Sequence, residues 1–343
     1  MNKVAVLGAG SWGTALAISL SKNINHINLW GRPEDDIESM QKSRENKNYL
    51  PGVTIPPQVK PTTDLAQAVE GATMVVLSVP AQPMRSVLGQ LKPYLKPDMY
   101  LVNTAKGLEI SSGMRLSRVV EEVLGPEIRA QYAVLSGPSH AEEVAREVPT
   151  AITAAAYNSK TAFAVQDYFM SESLRVYTNP DVAGVELGGA LKNIIALATG
   201  IVIALGYGDN TVAALMTRGL AEMTRIGVKM GGNERTFSGL SGMGDLIVTC
   251  GSRYSRNRRA GELIGQGKSL EETLDSIGMV VEGAHTTRVV YNQASRLGVE
   301  MPITNGCYKI LYKGYDARGE VSQLMNRRRK HEIEENVMDL FEW

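Results

Sequence analysis

Residues 4–17 read VAVLGAGSWGTALA, and this stretch decides the fold. Its first four residues are apolar and predict a buried parallel strand, and Thr14–Leu20 predicts a helix. Between strand and helix, Gly8, Gly10 and Gly13 stand at G-x-G-x-x-G spacing. In that order, they allow a tight turn, a close approach of pyrophosphate to the backbone, and close packing of the helix on the strand. Because the start of a helix also offers free N–H groups to phosphate, the stretch predicts a dinucleotide-binding site.

The next predicted strand, His26–Trp30, bears on which dinucleotide binds. A protein selective for NAD usually places Asp or Glu at the end of this strand, where the carboxylate binds the 2′-hydroxyl of the ribose. Here Gly31 and Arg32 follow, and a guanidinium suits a 2′-phosphate. Acidic residues come slightly later, at positions 34–36, and Arg32 could instead be an ordinary solvated loop residue. We expect NADPH to be favoured and NADH to be tolerated.

The composition excludes several classes of protein. The chain has 343 residues, with 36 Lys and Arg against 36 Asp and Glu, so it lacks the basic excess of a general nucleic-acid binder. Cys250 and Cys307 predict no disulfide framework, and the four scattered histidines predict no metal site. The longest apolar run, residues 194–205, is too short to cross a bilayer, and the N-terminus reads as a core strand and not as a signal peptide. We therefore expect a cytoplasmic protein with no nucleic-acid partner and no membrane insertion.

The pattern of strands and helices predicts two domains. Up to about residue 180, apolar strands alternate with helical stretches, which is typical of a doubly wound, mostly parallel sheet. From residue 181, helical periodicity continues alone. We expect an α/β chain with a dinucleotide-binding Rossmann domain at 1–180, an all-helical substrate and catalytic domain at 181–330, and a tail at 331–343. Further strands are predicted at Met74–Val79, Tyr100–Asn103, Ala133–Leu135 and Thr150–Ala155.

Small residues and a lysine follow the predicted strands at one edge of the sheet. Lys106 comes shortly after one strand, and Gly137 and Ser139 come shortly after the next. Ligands of doubly wound sheets bind beyond the carboxyl ends of the strands. We expect Lys106 to contact a ligand there, although a lysine considered alone would as often be a surface residue.

The most distinctive motif of the second half is GGALKNII, residues 188–195. Two adjacent glycines inside a helix cost about 1 kcal/mol each relative to alanine. Because helical side chains lean toward the N-terminus, Lys192 lies over Gly188 and Gly189, which leave room for a small molecule. Apolar neighbours disfavour the charged amine and move it toward the working range of a general acid or base. The alternative is a lysine whose amine reaches solvent.

Two further clusters complete the predicted chemistry. Residues 241–249 read SGMGDLIVT, where glycines flank Asp245, which would serve the site or cap a short helix. Ser255, Arg256 and Asn257 precede a predicted helix and suit a phosphate dianion. These parts fit one reaction class, in which a nicotinamide exchanges hydride, a lysine exchanges a proton and a basic site holds a phosphate.

The chain resembles bacterial NAD(P)-dependent sn-glycerol-3-phosphate dehydrogenases through motifs that extend to about residue 330. These motifs are GAGSWG (8–13), TAKGLE (104–109), SGPS (136–139), LGGALKN (187–193), TRGLAE (217–222), GDLIVTC (244–250), SRNRR (255–259), VVEG (280–283) and MPIT (301–304).

The resemblance implies reduction of dihydroxyacetone phosphate, a phosphorylated triose, to sn-glycerol 3-phosphate for phospholipid synthesis. It implies Lys192 as the residue that transfers the proton, and we expect a homodimer. The implied substrate contacts are Lys106, Gly137, Ser139, Lys192, Asp245, Ser255, Arg256 and Asn257. The implied coenzyme contacts are Ser11, Trp12, Arg32, Tyr49, Lys106, Ala141, Arg256, Val280 and Glu282, besides Gly8, Gly10 and Gly13 of the opening stretch.

Two other functions stay open at the level of sequence. A related lysine-dependent hydroxyacid dehydrogenase would also place a lysine on a helix after a nucleotide domain, but it would bind a carboxylate, and a substrate panel separates the two. An NADPH sensor without catalytic activity would have no use for a desolvated Lys192 beside paired glycines, and any turnover would exclude it.

Overall fold

The computed structural model describes residues 2–328 and 332, so the predicted tail at 331–343 lies outside the described residues apart from Glu332. Every described strand lies in the first part of the chain. The strands are β1 (Lys3–Leu7), β2 (His26–Trp30), β3 (Glu45–Asn46), β4 (Leu50–Thr54), β5 (Val59–Thr62), β6 (Met74–Leu77), β7 (Tyr100–Asn103), β8 (Tyr132–Ser136), β9 (Thr150–Ala156) and β10 (Leu174–Asn179).

Short helices alternate with these strands, and all secondary structure from residue 182 to residue 325 is helical. The helices of the first part are α1 (Ser11–Leu20), α2 (Ile37–Ser43), α3 (Leu65–Val69), α4 (Met84–Leu91), α5 (Leu116–Leu124), α6 (Ala141–Val144) and α7 (Ser159–Phe169). The helices of the second part are α8 (Val182–Ala204), α9 (Asp209–Lys229), α10 (Glu234–Phe237), α11 (Asp245–Gly251), α12 (Arg256–Gly265), α13 (Leu270–Ile277), α14 (Glu282–Leu297), α15 (Pro302–Lys313) and α16 (Ala317–Met325).

Eight strands form one sheet in the order β10-β9-β8-β7-β6-β1-β2-β5, and β3 and β4 form a separate antiparallel pair. Neighbours in the large sheet are parallel, except that β8 and β9 run antiparallel. The chain builds outward from β1 in one direction and then returns to its other side with β6, which places a topological switch point beside β1. The prediction of a Rossmann-type sheet followed by a helical domain is confirmed.

The edges of the large sheet are the strands that the sequence pattern does not predict. β5 contains Pro61, which an edge position tolerates because one side of the strand donates no ladder hydrogen bond. β10 alternates buried and exposed side chains instead of forming an apolar run. An edge strand has a single neighbour and less cover, so the signal of a fully buried strand is missing at both positions.

The second part of the chain is built around α8, whose residues are nearly all buried. By length and composition α8 could cross a membrane, but 89% of its most apolar window is buried inside the protein, so it is a core helix. α12 crosses α8 very closely. A Cβ on Gly200 would lie 2.0 Å from the carbonyl oxygen of Arg258, and a Cβ on Gly261 would lie 2.0 Å from that of Leu197. These two glycines therefore set how near α12 comes to Lys192, which also lies on α8.

Candidate active site

The loop between β1 and α1 has the geometry that its glycines predict. Gly8 adopts a φ of +117°, and a Cβ there would lie 2.8 Å from the carbonyl of Ser78. A Cβ on Gly13 would lie 1.9 Å from the carbonyl oxygen of Gly8. By contrast, a Cβ on Gly10 would meet no described atom within 4 Å. The loop is packed against the sheet at two glycines and open at the third, where the pyrophosphate is predicted to approach.

Three other predicted coenzyme contacts, Ser11, Trp12 and Ala141, follow this loop or pack beside it. Ser11 and Trp12 open α1, and Trp12 packs in the same apolar cluster as Ala141 at the start of α6. The indole Nε1 of Trp12 is buried and has no hydrogen-bond acceptor within the described part of the chain. A buried N–H group without a partner is rare in folded proteins, so this donor is suited to a bound ligand.

Arg32 lies two residues after the end of β2, and its guanidinium is already paired. Nη2 of Arg32 lies 3.0 Å from Oδ1 of Asp35. The same oxygen accepts a hydrogen bond from the Tyr49 hydroxyl at 3.2 Å. The structure thus joins two predicted coenzyme contacts, Arg32 and Tyr49, through a carboxylate outside the predicted set.

The centre of the site is a carboxylate held between two lysines. Asp245 begins α11, Lys192 lies in the middle of α8, and Lys106 lies in the loop after β7. Nζ of Lys106 lies 2.7 Å from Oδ2 of Asp245, and Nζ of Lys192 lies 3.0 Å from Oδ1. Asp245 is 1% exposed and Lys192 is 6% exposed. The three residues come from distant parts of the sequence, and the fold brings them into one buried cluster.

Thr249 belongs to this cluster and was not predicted from the sequence. Its Oγ1 accepts a hydrogen bond from Nζ of Lys192 at 2.6 Å and lies 3.2 Å from Oδ1 of Asp245. Thr249 follows Asp245 by four residues on α11, so both side chains lie on one face of the helix. That spacing is the signal that could have identified it.

The electrostatics of the cluster act in opposite directions on its members. Burial lowers the pKa of Lys192 to about 8, and the positive charge of Lys106 acts in the same direction. Asp245 opposes both, because its carboxylate favours the charged amine. Burial acts to raise the pKa of Asp245, but the two ammonium groups outweigh it and hold that pKa below its usual range. Asp245 is therefore ionised, and Lys192 gives up its proton more readily than an exposed lysine.

Lys106 is also tied to the loop after β8. Its Nζ donates to the carbonyl oxygen of Gly137 at 2.9 Å and lies 3.5 Å from Oγ of Ser139. Ser139 donates in turn to the carbonyl oxygen of Gly137 at 2.9 Å. The structure therefore brings Lys106, Gly137 and Ser139 together with Asp245 at the carboxyl ends of β7 and β8.

The predicted phosphate cluster lies at the start of α12. Oγ of Ser255 caps the helix by accepting from the Arg258 N–H at 3.2 Å. Both polar atoms of the Asn257 side chain form hydrogen bonds within the protein: the amide donates to Oδ1 of Asn193 at 2.9 Å and accepts from the Gly283 N–H at 2.8 Å. Because the first N–H groups of a helix lack intrahelical acceptors, the backbone of Asn257 is the part that can meet a phosphate.

The remaining predicted coenzyme contacts lie where α14 begins. Nη1 of Arg256 donates to the carbonyl oxygen of Val280 at 3.2 Å. Oε1 of Glu282 accepts from the Ala81 N–H at 3.1 Å, while Oε2 is buried with no donor among the described residues. Burial raises the pKa of Glu282 to about 7, and the Ala81 N–H and Arg256 oppose that rise. Motif spacing gave no signal for Val280, Glu282 or Tyr49, which rest on the resemblance alone.

Comparisons with known families match nearly the whole chain. The model described as NAD-dependent glycerol-3-phosphate dehydrogenase N-terminus matches residues 3–162, and the corresponding C-terminus model matches residues 181–322. A protein named glycerol-3-phosphate dehydrogenase [NAD(P)+] from Syntrophomonas wolfei is 63% identical over 337 residues, which cover 98% of each chain. The protein of the same name from Bacillus subtilis is 49% identical, again with 98% of each chain covered.

The chain is also similar to solved structures. The crystal structure of glycerol-3-phosphate dehydrogenase from Coxiella burnetii is 39% identical with a TM-score of 0.90, and the match covers 95% of this chain and 99% of that one. A ketopantoate reductase from Ralstonia eutropha is 16% identical with a TM-score of 0.59, over 94% of this chain and 100% of that one, and at this identity it shows the fold alone.

Proposed function

The chain belongs to the NAD-dependent glycerol-3-phosphate dehydrogenase family, and we therefore propose that it interconverts dihydroxyacetone phosphate and sn-glycerol 3-phosphate with NADH or NADPH. The observation that carries the proposal is Asp245 held between Lys106 and Lys192. This cluster places an amine with a lowered pKa where the nucleotide-binding sheet meets the helical domain. The names of the relatives support this reading over a hydroxyacid dehydrogenase or a sensor without turnover.

The residues around the first loop fit a dinucleotide. Gly10 leaves open space where a pyrophosphate would approach the backbone. Trp12 Nε1 and Glu282 Oε2 are a buried donor and a buried acceptor without partners in the described chain. When bound, the nicotinamide supplies hydride to the carbonyl carbon of the triose or accepts it from the alcohol carbon.

Lys192 is the residue that exchanges the proton in this proposal. During reduction its ammonium donates a proton to the carbonyl oxygen as that oxygen gains negative charge. During oxidation its neutral amine takes the proton of the hydroxyl. Asp245 and Thr249 hold Nζ in place in both directions, because they contact it at 3.0 Å and 2.6 Å.

The start of α12 is the proposed phosphate site. The N–H groups of Arg256 and Asn257 and the exposed guanidinium of Arg256 offer donors to a dianion. Lys106, tied to Ser139 and Gly137, adds a second cation. Binding energy from the phosphate then orients the triose carbonyl toward Lys192.

The proposal extends to cellular role and assembly. We propose that NADPH is favoured over NADH through Arg32, that the protein works in the cytoplasm as a homodimer, and that its product supplies phospholipid synthesis. A solution mass near twice the chain mass of 37.2 kDa would support the dimer.

The test of the proposed function compares two substrates that differ only in the phosphate. We expect NADPH oxidation with dihydroxyacetone phosphate and barely any with unphosphorylated dihydroxyacetone, because the truncated substrate forfeits the contacts at α12. Arg256→Ala should lower kcat/KM for dihydroxyacetone phosphate by roughly 10- to 100-fold, the range of a charge-assisted hydrogen bond. Arg259→Ala is the matched control, since Arg259 is an exposed arginine on the same helix.

Comparable kcat/KM for the two substrates would contradict the proposal. Turnover of 2-keto acids in the same panel, without turnover of the phosphorylated triose, would instead indicate a hydroxyacid dehydrogenase. Coenzyme binding without turnover of any substrate would indicate a sensor.

A further inference from the structure

A carboxylate is built into the place where the coenzyme's 2′ group is proposed to bind. Asp35 contacts the guanidinium of Arg32 through both oxygens, with Nη2 at 3.0 Å from Oδ1 and Nε at 3.4 Å from Oδ2. Oδ2 also accepts from the backbone N–H of Arg32 at 2.8 Å, and Oδ1 accepts from the Tyr49 hydroxyl at 3.2 Å.

These contacts hold the carboxylate in one position. Asp35 ends a short 3₁₀ turn, Pro33–Asp35, and the next residue, Asp36, adopts a left-handed φ of 54°. Gly31 allows the close approach, since a Cβ on it would lie 3.3 Å from Oδ2 of Asp35 and 2.7 Å from Cβ of Ala9. Asp35 is 8% exposed, so its carboxylate cannot rotate into solvent without losing all of these donors.

The charges of Arg32 and Asp35 balance each other at this point. Burial acts to raise the pKa of Asp35, but the hydrogen bonds and charge of Arg32 outweigh it, and the pKa lies below its usual range. Asp35 is therefore ionised beside an always charged guanidinium. The Arg32 side chain is still 63% exposed, so its outer edge can meet a ligand.

We propose that Asp35 is a specificity-determining residue that limits the preference for NADPH and keeps NADH usable. A 2′-phosphate that binds the outer edge of Arg32 is repelled by the fixed carboxylate behind it, whereas a 2′-hydroxyl carries no charge to repel. This proposal rests on the proposed dinucleotide site but not on the identity of the second substrate.

The test measures dissociation constants of NADPH and NADH by fluorescence titration with no second substrate present. Asp35→Asn removes the charge and keeps a side chain of the same shape. We expect it to tighten NADPH binding about fivefold, the upper range for a charge interaction with a group bound at the protein surface, and to leave NADH within about twofold. The gain should shrink as salt is raised from 20 to 500 mM, because added salt screens exposed charges. A second variant, Asp35→Ser, keeps a hydroxyl that can cap the Arg32 N–H if the asparagine variant folds poorly.

Glu34→Gln is the matched control, since Glu34 is an exposed carboxylate one residue away. A control that shifts the ratio of the two constants as much as Asp35→Asn would overturn the proposal, because the effect would then be general charge. An unchanged ratio of the two dissociation constants would overturn it too. So would a change in that ratio that comes entirely from weaker NADH binding. A parent protein that binds neither coenzyme would contradict the proposed function itself, which is a different result.

Discussion

At Lys192, the neighbours of one side chain decide its chemistry. Burial and the charge of Lys106 push the amine toward its neutral form, and Asp245 opposes them. The resulting pKa of about 8 leaves the group mostly protonated near neutral pH, yet able to give up a proton without a large penalty. A group with this balance suits a reaction that must run in both directions.

Removal of the Lys192 amine should abolish turnover and leave coenzyme binding intact. We expect Lys192→Ala to lower kcat by at least the ~10²–10⁴-fold that general acid–base catalysis contributes. NADPH affinity should change little, because the glycine loop lies in the other domain. Lys229→Ala, at an exposed lysine, is the control. If the variant kept kcat within about tenfold of the parent, Lys192 would be a structural lysine and Lys106 would become the leading proton donor.

The two reaction directions should depend on pH with opposite signs. Reduction needs the protonated amine, so its rate should hold below pH 8 and fall as pH rises through about 8. Oxidation needs the neutral amine and should rise over the same range. Thr249→Val removes an acceptor that stabilises the charged amine, so both midpoints should move to lower pH. Profiles of kcat that stay flat between pH 7 and 9 in both directions would contradict the role given to Lys192.

Among the elements, α12 is constrained both by its proposed role and by its close contact with α8. It carries the proposed phosphate site at its first turn, and it lies against α8 through Gly200 and Gly261. Each of these glycines faces a backbone carbonyl of the other helix, so a side chain at either position cannot be accommodated by a rotamer change. The distance between the proposed phosphate site and Lys192 therefore depends on two residues that belong to neither.

A single methyl group at this crossing should disturb both stability and substrate binding. We expect Gly261→Ala to lower the free energy of unfolding by about 2 kcal/mol, as overpacking does, and to raise KM for dihydroxyacetone phosphate. Gly89→Ala is the matched control, because Gly89 is an exposed glycine inside α4 with no described atom within 4 Å of an added Cβ. That variant should gain about 0.5–1 kcal/mol from helix propensity. Denaturant unfolding of both variants measures these changes. Equal free energies of unfolding would contradict so close a contact between α8 and α12.

The central elements of the sheet were predictable because their signal is local. β1, β6 and β7 are buried on both faces and therefore read as apolar runs. The edge strands β5 and β10 carry no such run, since one side of each has no neighbouring strand. Their place in the sheet is set by tertiary contacts that no short window of sequence contains.

At the scale of the whole molecule, the same limit applies to the site. The sequence could indicate Lys106, Lys192 and Asp245 as reactive residue types, because each stands in a glycine-rich or strand-end setting. It could not show that one carboxylate lies between both lysines, since Lys106 and Asp245 are 139 positions apart. Nor could it show that the Asn257 amide is hydrogen-bonded to other residues of the protein.

The two domains are joined by a buried polar contact away from the site. Glu186 of α8 accepts from the Ser117 N–H at 2.8 Å and the Tyr132 hydroxyl at 3.0 Å, and it pairs with Arg115 at 3.0 Å. All three partners belong to the first domain. Because Glu186 and Lys192 lie on the same helix, this contact fixes the position of the amine against the nucleotide-binding sheet.

The order of the residues around Asp245 has a consequence for synthesis of the protein. The ribosome adds Lys106 to the growing chain first, Lys192 next and Asp245 last. All strands of the large sheet and the glycine loop are thus present in the nascent chain while both amines still lack the carboxylate that holds them together. A nonsense mutation between codons 192 and 245 would leave a polypeptide with the sheet, the glycine loop and both lysines but without the residue that unites them.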